Sequence, residues 1–99
     1  MITMIRSAAI APGKGGDAIT FAHTVAKHIH SKYGVKLTVS MPIGGNPNRI
    51  GWSTSYENMA EWEAFSANLM ADPDYLAAVA ANSATFIAGS VYDDLWRSI

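Results

Sequence analysis

The stretch from residue 49 to residue 79 constrains the fold most, because the spacing of its apolar residues changes from two to three and four. Over residues 49–56, small side chains alternate with larger ones that share one face, namely Ile50, Trp52, Thr54 and Tyr56. Alternation of β-branched and aromatic residues predicts a strand that packs one face on a core. The strand is followed at once by a helical pattern.

Residues 58–81 are predicted to form two helices separated by an Asp-Pro break. Asn58 can accept hydrogen bonds from the free backbone amides of a helix start, and Glu61 can reach back to an earlier amide. The apolar face of the first helix carries Met59, Trp62, Phe65 and Leu69. Asp72-Pro73 ends this helix and starts the next, because proline disfavours helical backbone at the residue before it and suits a first helical position. The second helix presents a stripe of Tyr75, Leu76, Val79 and Ser83.

The remaining sequence predicts three strands and one long helix. Residues 2–11 alternate as a strand, and Asp17 is a candidate N-cap for a helix that ends at Tyr33 with Gly34 as its left-handed stop. Residues 35–41 alternate as a second strand, and the turn formers of 42–48 join it to residues 49–56 as a hairpin. Residues 86–92 are predicted as a fourth strand. Residues 93–99 are predicted as a tail whose Trp96 and Ile99 pack on this subunit or on a partner.

This order, β-α-β-β-α-β, predicts an α+β, ferredoxin-like fold with a four-stranded antiparallel sheet. At 99 residues, we expect residues 1–99 to form a single domain.

Composition narrows the classes of function. Charged residues make up 15% of the chain and hydrophobic residues 49%, so few charges cover the surface and we expect a homo-oligomer. The absence of cysteine excludes disulfides, thiolate catalysis and Cys-ligated zinc. A net charge of −1 without a basic run argues against nucleic-acid binding. No apolar run approaches the length of a membrane span and no signal sequence is evident, so we expect a cytoplasmic protein that does not bind membranes.

The element order, the sequence YENMAEWEAF at 56–65 and the sequence DPDY at 72–75 resemble the dimeric α+β barrel superfamily, which includes NIPSNAP-like and antibiotic-biosynthesis-monooxygenase-like proteins. The resemblance implies that two four-stranded sheets pack face to face across a twofold axis, with a ligand pocket between each sheet and its helices. Members include cofactor-independent monooxygenases, haem-degrading enzymes, lactone isomerases and proteins without known activity, so the fold selects no function. Haem-degrading members pair an Asn on the first strand with a Trp and a downstream His, whereas this first strand has no Asn and no His follows His30.

Arg6 is the most informative candidate residue, because it stands among small and apolar residues of the first strand. It either pairs with a carboxylate (Glu57, Asp93 or Asp94), binds a negative charge on a ligand, or forms a salt bridge between subunits. If the protein is an enzyme, Arg6 or Tyr56 would stabilise developing negative charge. His23 would then transfer a proton, because histidine titrates near neutrality.

Four aromatic residues form a candidate ligand-binding wall, with plain core packing as the alternative: Trp52, Trp62, Phe65 and Tyr92. The histidines at 23, 28 and 30 are too unfavourably spaced to share one metal ion, and we assign no metal and no cofactor. Residues 13–16 are either an anion-binding loop ahead of a helix or a flexible connection, and they lack the complete phosphate-loop pattern.

These observations lead to one principal hypothesis and one alternative. The principal hypothesis is a homodimer that binds a small, mostly apolar molecule and, if catalytic, oxygenates or isomerises an aromatic or polyketide-like substrate without a cofactor. The alternative is a non-catalytic protein that binds a small ligand or acts as a dimeric scaffold.

Overall fold

Four strands and three helices follow one another in the order that the sequence predicts. The computed structural model describes residues 1–99, and its elements are β1 (Ile2–Ala9), α1 (Gly15–Tyr33), β2 (Thr38–Ser40), β3 (Arg49–Tyr56), α2 (Met59–Met70), α3 (Pro73–Ala81) and β4 (Tyr92–Arg97). A short 3-10 turn, Ser83–Thr85, follows α3.

The strands form one antiparallel sheet in the order β2-β3-β1-β4, which confirms the ferredoxin-like α+β fold. β1 occupies the centre, with β3 on one side and β4 on the other. Arg6 of β1 is therefore flanked by Trp52 on β3 and by Asp93 on β4. This register places the only charge of the apolar face of β1 beside a carboxylate.

The two faces of the sheet have different surroundings. The inner face, which includes Met4, Ile50 and Trp52, packs against the helices and forms one core with α1 and α2. Side chains alternate across a strand, so the intervening residues form the outer face, which no helix covers. On that face Ile5 is 40% exposed, Tyr92 60% and Trp96 67%.

The long helix α1 starts two residues before the predicted N-cap. Lys14 occupies the N-cap position without a side-chain cap, and Asp17 lies in the first turn, where its carboxylate suits the positive end of the helix dipole. The predicted C-terminal stop is confirmed: Gly34 has a φ of 69° and its amide donates to the carbonyl of His30. A left-handed residue at this position favours glycine, because a β-carbon would approach the following carbonyl oxygen.

The cap predicted for α2 and the predicted start of α3 at Asp72-Pro73 are confirmed. The Asn58 side chain accepts a hydrogen bond from the Glu61 amide at 3.0 Å, and the Glu61 carboxylate accepts one from the Glu57 amide at 2.9 Å. Asp72 caps α3 by accepting from the amides of Asp74 and Tyr75, at 2.9 and 3.1 Å. Both helices thus begin where short side chains satisfy free amides.

The second and fourth strands differ from the prediction. Only Thr38–Ser40 of the predicted second strand pairs with β3, while Val35 and Leu37 pack on the core without a strand partner. The fourth strand is Tyr92–Arg97 and not residues 86–92, so most of the predicted tail is the edge strand. In the sheet, Phe86 forms only an isolated bridge to Ile10. The chain then turns at Gly89, where φ is 75°.

Candidate functional site

The candidate site is a cavity of about 470 Å³ between the inner face of the sheet and the helices. Met4, Arg6 and Ala8 of β1 contribute one wall, and α1, α2 and α3 contribute others. Arg6 is the only charged side chain among the lining residues. The polar groups besides it come mainly from Tyr75, Asn82 and Ser83. A mostly apolar cavity with few polar groups has the character of a small-molecule site.

Arg6 and Asp93 form a two-point ion pair across the central and edge strands. The Nε and Nη2 groups of Arg6 donate to the two carboxylate oxygens of Asp93 at 2.7 and 2.8 Å. This contact raises the pKa of Arg6 above its usual value and lowers the pKa of Asp93 below its usual value. Tyr75 also raises the pKa of Arg6. Of the three carboxylates considered from sequence, Asp93 is the partner.

Tyr56 lies near this pair and has an unusual environment. Its hydroxyl oxygen is buried and has no hydrogen-bond partner in the protein. Burial raises the pKa of Tyr56 to about 12, against a smaller lowering effect from Arg6. The hydroxyl is therefore neutral at physiological pH and can act as a hydrogen-bond donor.

Two of the predicted aromatic residues, Trp52 and Phe65, line the cavity. The Trp52 indole donates from Nε1 to the carbonyl of Ala22 at 3.2 Å, which fixes the ring against α1. Its ring meets Phe21 edge-to-face at a centroid distance of 6.2 Å. Phe65 contacts Tyr56 at a centroid distance of 5.9 Å. These aromatic contacts make the wall both rigid and apolar.

Three predicted site residues lie away from the cavity. His23 is exposed on α1 and is not among the lining residues. Trp62 is half-buried and packs on the core without reaching the cavity. Tyr92 lies opposite Ser7 on the outer face of the sheet. The structure thus brings Arg6, Trp52 and Phe65 together at the cavity, with Tyr56 nearby, and leaves the other three elsewhere.

Sequence reasoning assigned no site role to the wall that α3 and the following segment provide. Tyr75, Leu76 and Val79 of α3 line the cavity, as do Phe86 and Val91. The stripe along α3 was visible as a helical repeat, and this repeat was the available signal. Whether this stripe faces a cavity depends on the distance between α3 and the sheet, and that distance cannot be predicted from a local sequence pattern.

A buried carboxylate ties α3 to α1. Asp72 is 2% exposed and its Oδ2 lies 2.8 Å from Nε2 of His28, 2.7 Å from the Tyr33 hydroxyl and 3.3 Å from Nζ of Lys32. Hydrogen bonds from His28 and Tyr33 hold the pKa of Asp72 well below its usual range. Because Asp72 also caps α3, this network positions the helix that carries Tyr75.

The sequence also singled out the histidines at 23, 28 and 30 and the loop of residues 13–16. No three His, Asp or Glu side chains come together in an arrangement that could hold a metal ion. Gly15 begins α1, and the neighbouring Lys14 has Asp17 as its nearest acid, at 3.8 Å. None of the helices is long and apolar enough to cross a membrane.

The sequence matches no protein-family model and no curated protein, whereas its structure resembles solved ones. An uncharacterized NIPSNAP domain protein from Burkholderia xenovorans superposes with a TM-score of 0.82 at 17% identity, over 100% of this chain and 95% of that one. A NIPSNAP family protein of unknown function from Agrobacterium tumefaciens gives 0.79 at 18%, over 99% and 87%. A candidate antibiotic biosynthesis monooxygenase from Deinococcus radiodurans gives 0.73 at 11%, over 99% and 92%. The chain therefore has the ferredoxin-like α+β fold that NIPSNAP and antibiotic-biosynthesis-monooxygenase-like proteins share.

Proposed function

We propose that this protein is a homodimer in which each subunit binds a small, mostly apolar molecule between its sheet and its helices. The observation that carries the proposal is the cavity of about 470 Å³, whose lining includes a single charged side chain, Arg6. This volume lies within the range of about 300–1,000 Å³ that small-molecule sites occupy. The aromatic wall of Trp52 and Phe65 suits a flat ring system.

The homodimer is supported by the uncovered outer face of the sheet. This face combines small and hydroxyl-bearing residues with three exposed larger ones, Ile5, Tyr92 and Trp96, and it also carries Arg49 and Asp94. The four strands have eight, three, eight and six residues and cover roughly 400 Å². Two subunits would thus bury about 800 Å² through the strands alone, somewhat below the roughly 1,000 Å² that a specific interface should exceed. A second copy of the same sheet is the occupant we propose, because sheets pack face to face in sandwiches.

Catalysis is the second candidate function, as cofactor-independent oxygenation or isomerisation of an aromatic or polyketide-like substrate. The observation that favours it is that Arg6 and Tyr75 both line the cavity, since these donors can stabilise negative charge that develops on a substrate oxygen. Tyr56 lies close to Arg6 but does not line the cavity. His23 does not line the cavity, so a proton acceptor would have to be supplied by the substrate, by water or by another residue. Binding without reaction, or a scaffold role, remains the alternative.

Native mass spectrometry of the protein as purified tests both parts of the proposal. We expect the mass of a dimer, with any retained small molecule visible as added mass. Ile5→Asp places a second negative charge opposite Asp94 on the outer face and should yield monomers. Ile43→Asp is the matched control, because Ile43 is fully exposed in the loop between β2 and β3 and its replacement should leave the dimer intact. A monomeric wild-type protein would refute the assembly.

Ligand binding is tested with the aromatic ketone 2-acetylnaphthalene in isothermal titration calorimetry. Val79→Trp enlarges a lining residue that is 40% exposed and should weaken binding by filling the cavity. Ala77→Trp adds the same ring to an exposed position of α3 that does not line the cavity, and should bind as the wild type does. Equal binding by all three proteins would place the ligand elsewhere.

A further inference from the structure

We propose that Asp93 sets the charge selectivity of the cavity, so that the site prefers electroneutral ligands with a hydrogen-bond-accepting oxygen over anionic ones. This inference rests on the proposed binding function and adds to it the class of ligand and the residue that selects it. An isolated arginine in an apolar cavity would indicate a carboxylate or phosphate ligand. The contact with Asp93 reverses that expectation.

The geometry shows that Arg6 already has its counter-ion. Asp93 binds the guanidinium at two points, 2.7 Å from Nε and 2.8 Å from Nη2. The two side chains are equally exposed, each at 32%. The pair carries no net charge, and no charged residue other than Arg6 lines the cavity. The lining therefore has no uncompensated positive charge to attract an anion.

An anionic ligand would meet two unfavourable effects. If it approached the free side of Arg6, it would lose its hydration in a mostly apolar cavity and would lie near the negative charge of Asp93. If instead it displaced Asp93, it would leave that carboxylate without its two-point partner on the edge strand. Like charges brought together in this way disfavour a competing ligand, which is one of the two routes to specificity, beside added contacts to the correct one.

A neutral oxygen meets neither effect. A guanidinium has five N–H groups, and Asp93 accepts from only two of them, at Nε and Nη2. The two N–H groups of Nη1 can therefore donate to a carbonyl or hydroxyl oxygen of a ligand. Tyr75 lines the cavity close to Arg6 and can supply a further hydrogen bond. A flat, uncharged ketone, quinone or phenol combines such an oxygen with rings that fit the aromatic wall.

The test compares two probes of nearly equal shape, 2-acetylnaphthalene and 2-naphthoate, which is ionised at about pH 7.5. Calorimetry on the wild-type protein should give the lower Kd for the ketone. Asp93→Asn keeps the shape of the side chain and removes its charge, and should shift the ratio of the two Kd values toward 2-naphthoate by about tenfold or more. If Asp93→Asn does not fold, Asp93→Ser carries the same comparison.

Two further variants separate charge selectivity from a general effect of charge. Asp94 is the neighbouring residue on the outer face of the sheet, so Asp94→Asn changes the net charge equally and should leave the ratio unchanged. Asp93→Glu retains the charge and should retain the preference for the ketone. The inference is overturned if wild-type protein prefers 2-naphthoate, or if both probes bind and Asp93→Asn leaves the ratio unchanged. If neither probe binds to the wild type, the proposed binding function fails, and the inference fails with it. That outcome is distinguishable from a failure of charge selectivity alone, in which the probes still bind.

Discussion

The unpartnered hydroxyl of Tyr56 leads to a prediction that runs against the usual effect of a core mutation. Tyr56 is 6% exposed and its hydroxyl oxygen has no partner in the folded protein, whereas water satisfies it in the unfolded chain. Folding therefore removes one hydrogen-bonding group from water without replacing its partner. Tyr56→Phe deletes that group and keeps the ring in contact with Phe65.

The expected gain follows from two opposing contributions. A buried hydroxyl without a partner costs about 1–3 kcal/mol in mutational data. Deleting the oxygen forfeits a few atomic contacts at about 0.1–0.2 kcal/mol each. We therefore expect Tyr56→Phe to raise the free energy of unfolding by about 1 kcal/mol. For a two-state domain of this size, that corresponds to a rise in Tm of about 4–8 °C.

Urea denaturation of ligand-free protein, followed by circular dichroism at one fixed protein concentration, measures this gain. With a slope of about 1–3 kcal/mol per molar urea, the midpoint should rise by roughly 0.3–1 M. The concentration is held fixed because the proposed dimerisation would make stability depend on it. Tyr33→Phe is the matched control: its hydroxyl donates to Asp72 at 2.7 Å, so the same deletion should lower the midpoint.

A Tyr56→Phe variant with an unchanged or lower midpoint, at an unchanged slope, would refute this reasoning. It would show that the hydroxyl has a partner in solution, such as an ordered water. The contrast with Tyr33 would then reflect the strength of two satisfied hydrogen bonds.

Three further substitutions test the network, the core and the helix cap. The pKa of Asp72 is lower in the folded protein than the value of about 3.9 in the unfolded chain, so its stabilisation is complete above about pH 5 and declines as the pH falls below about 4. Asp72→Asn should therefore lower the Tm at pH 5, and its difference from wild type should shrink in Tm measurements toward pH 2.5. Ile50 is fully buried, and Ile50→Ala should lower the free energy of unfolding by about 2–5 kcal/mol in urea denaturation. Gly34→Ala should lower it by about 1 kcal/mol because φ is positive there, whereas Gly44→Ala, in open space, should change it by less than about 0.5 kcal/mol.

The helix starts that depend on hydrogen bonds between residues close in sequence were predictable from sequence. Asn58 and Glu61 cap α2, and Asp72 with Pro73 starts α3, because each cap involves amides only two to four residues away. The inner face of β3 followed from its alternation, because one face of a strand must be buried in a sheet covered by helices.

The fourth strand was misplaced because local pattern does not identify the partner of a strand. Residues 86–92 and 92–97 are both compatible with extended structure, and the choice depends on hydrogen bonding to β1 far away in sequence. Asp93 could not be distinguished from Asp94 as the partner of Arg6, because a shift of one residue exchanges the two faces. Tyr92 lies on the outer face because it pairs with Ser7, and this register could not be derived from local pattern.

The candidate site was predictable only in part for a related reason. Arg6 was visible as a lone charge on an apolar strand face, and Trp52 and Phe65 as large residues on faces that seek a core. The opposite wall, with Tyr75 and Val79, depends on the distance that α3 keeps from the sheet. That distance is set partly by the Asp72 network, whose members come from separate helices.

Because β1 lies at the centre of the sheet, the sheet can be completed during folding only through pairing between distant parts of the chain. β1 pairs on one side with β3, where Ile2 meets Tyr56, and on the other with β4, where Ile2 meets Arg97. Neither neighbour is close in sequence, so both edges of β1 stay bare until long loops have closed. Contacts between such distant residues slow folding relative to helical bundles. Meanwhile β1 exposes unpaired backbone that can join another chain, so refolding yield should fall as protein concentration rises.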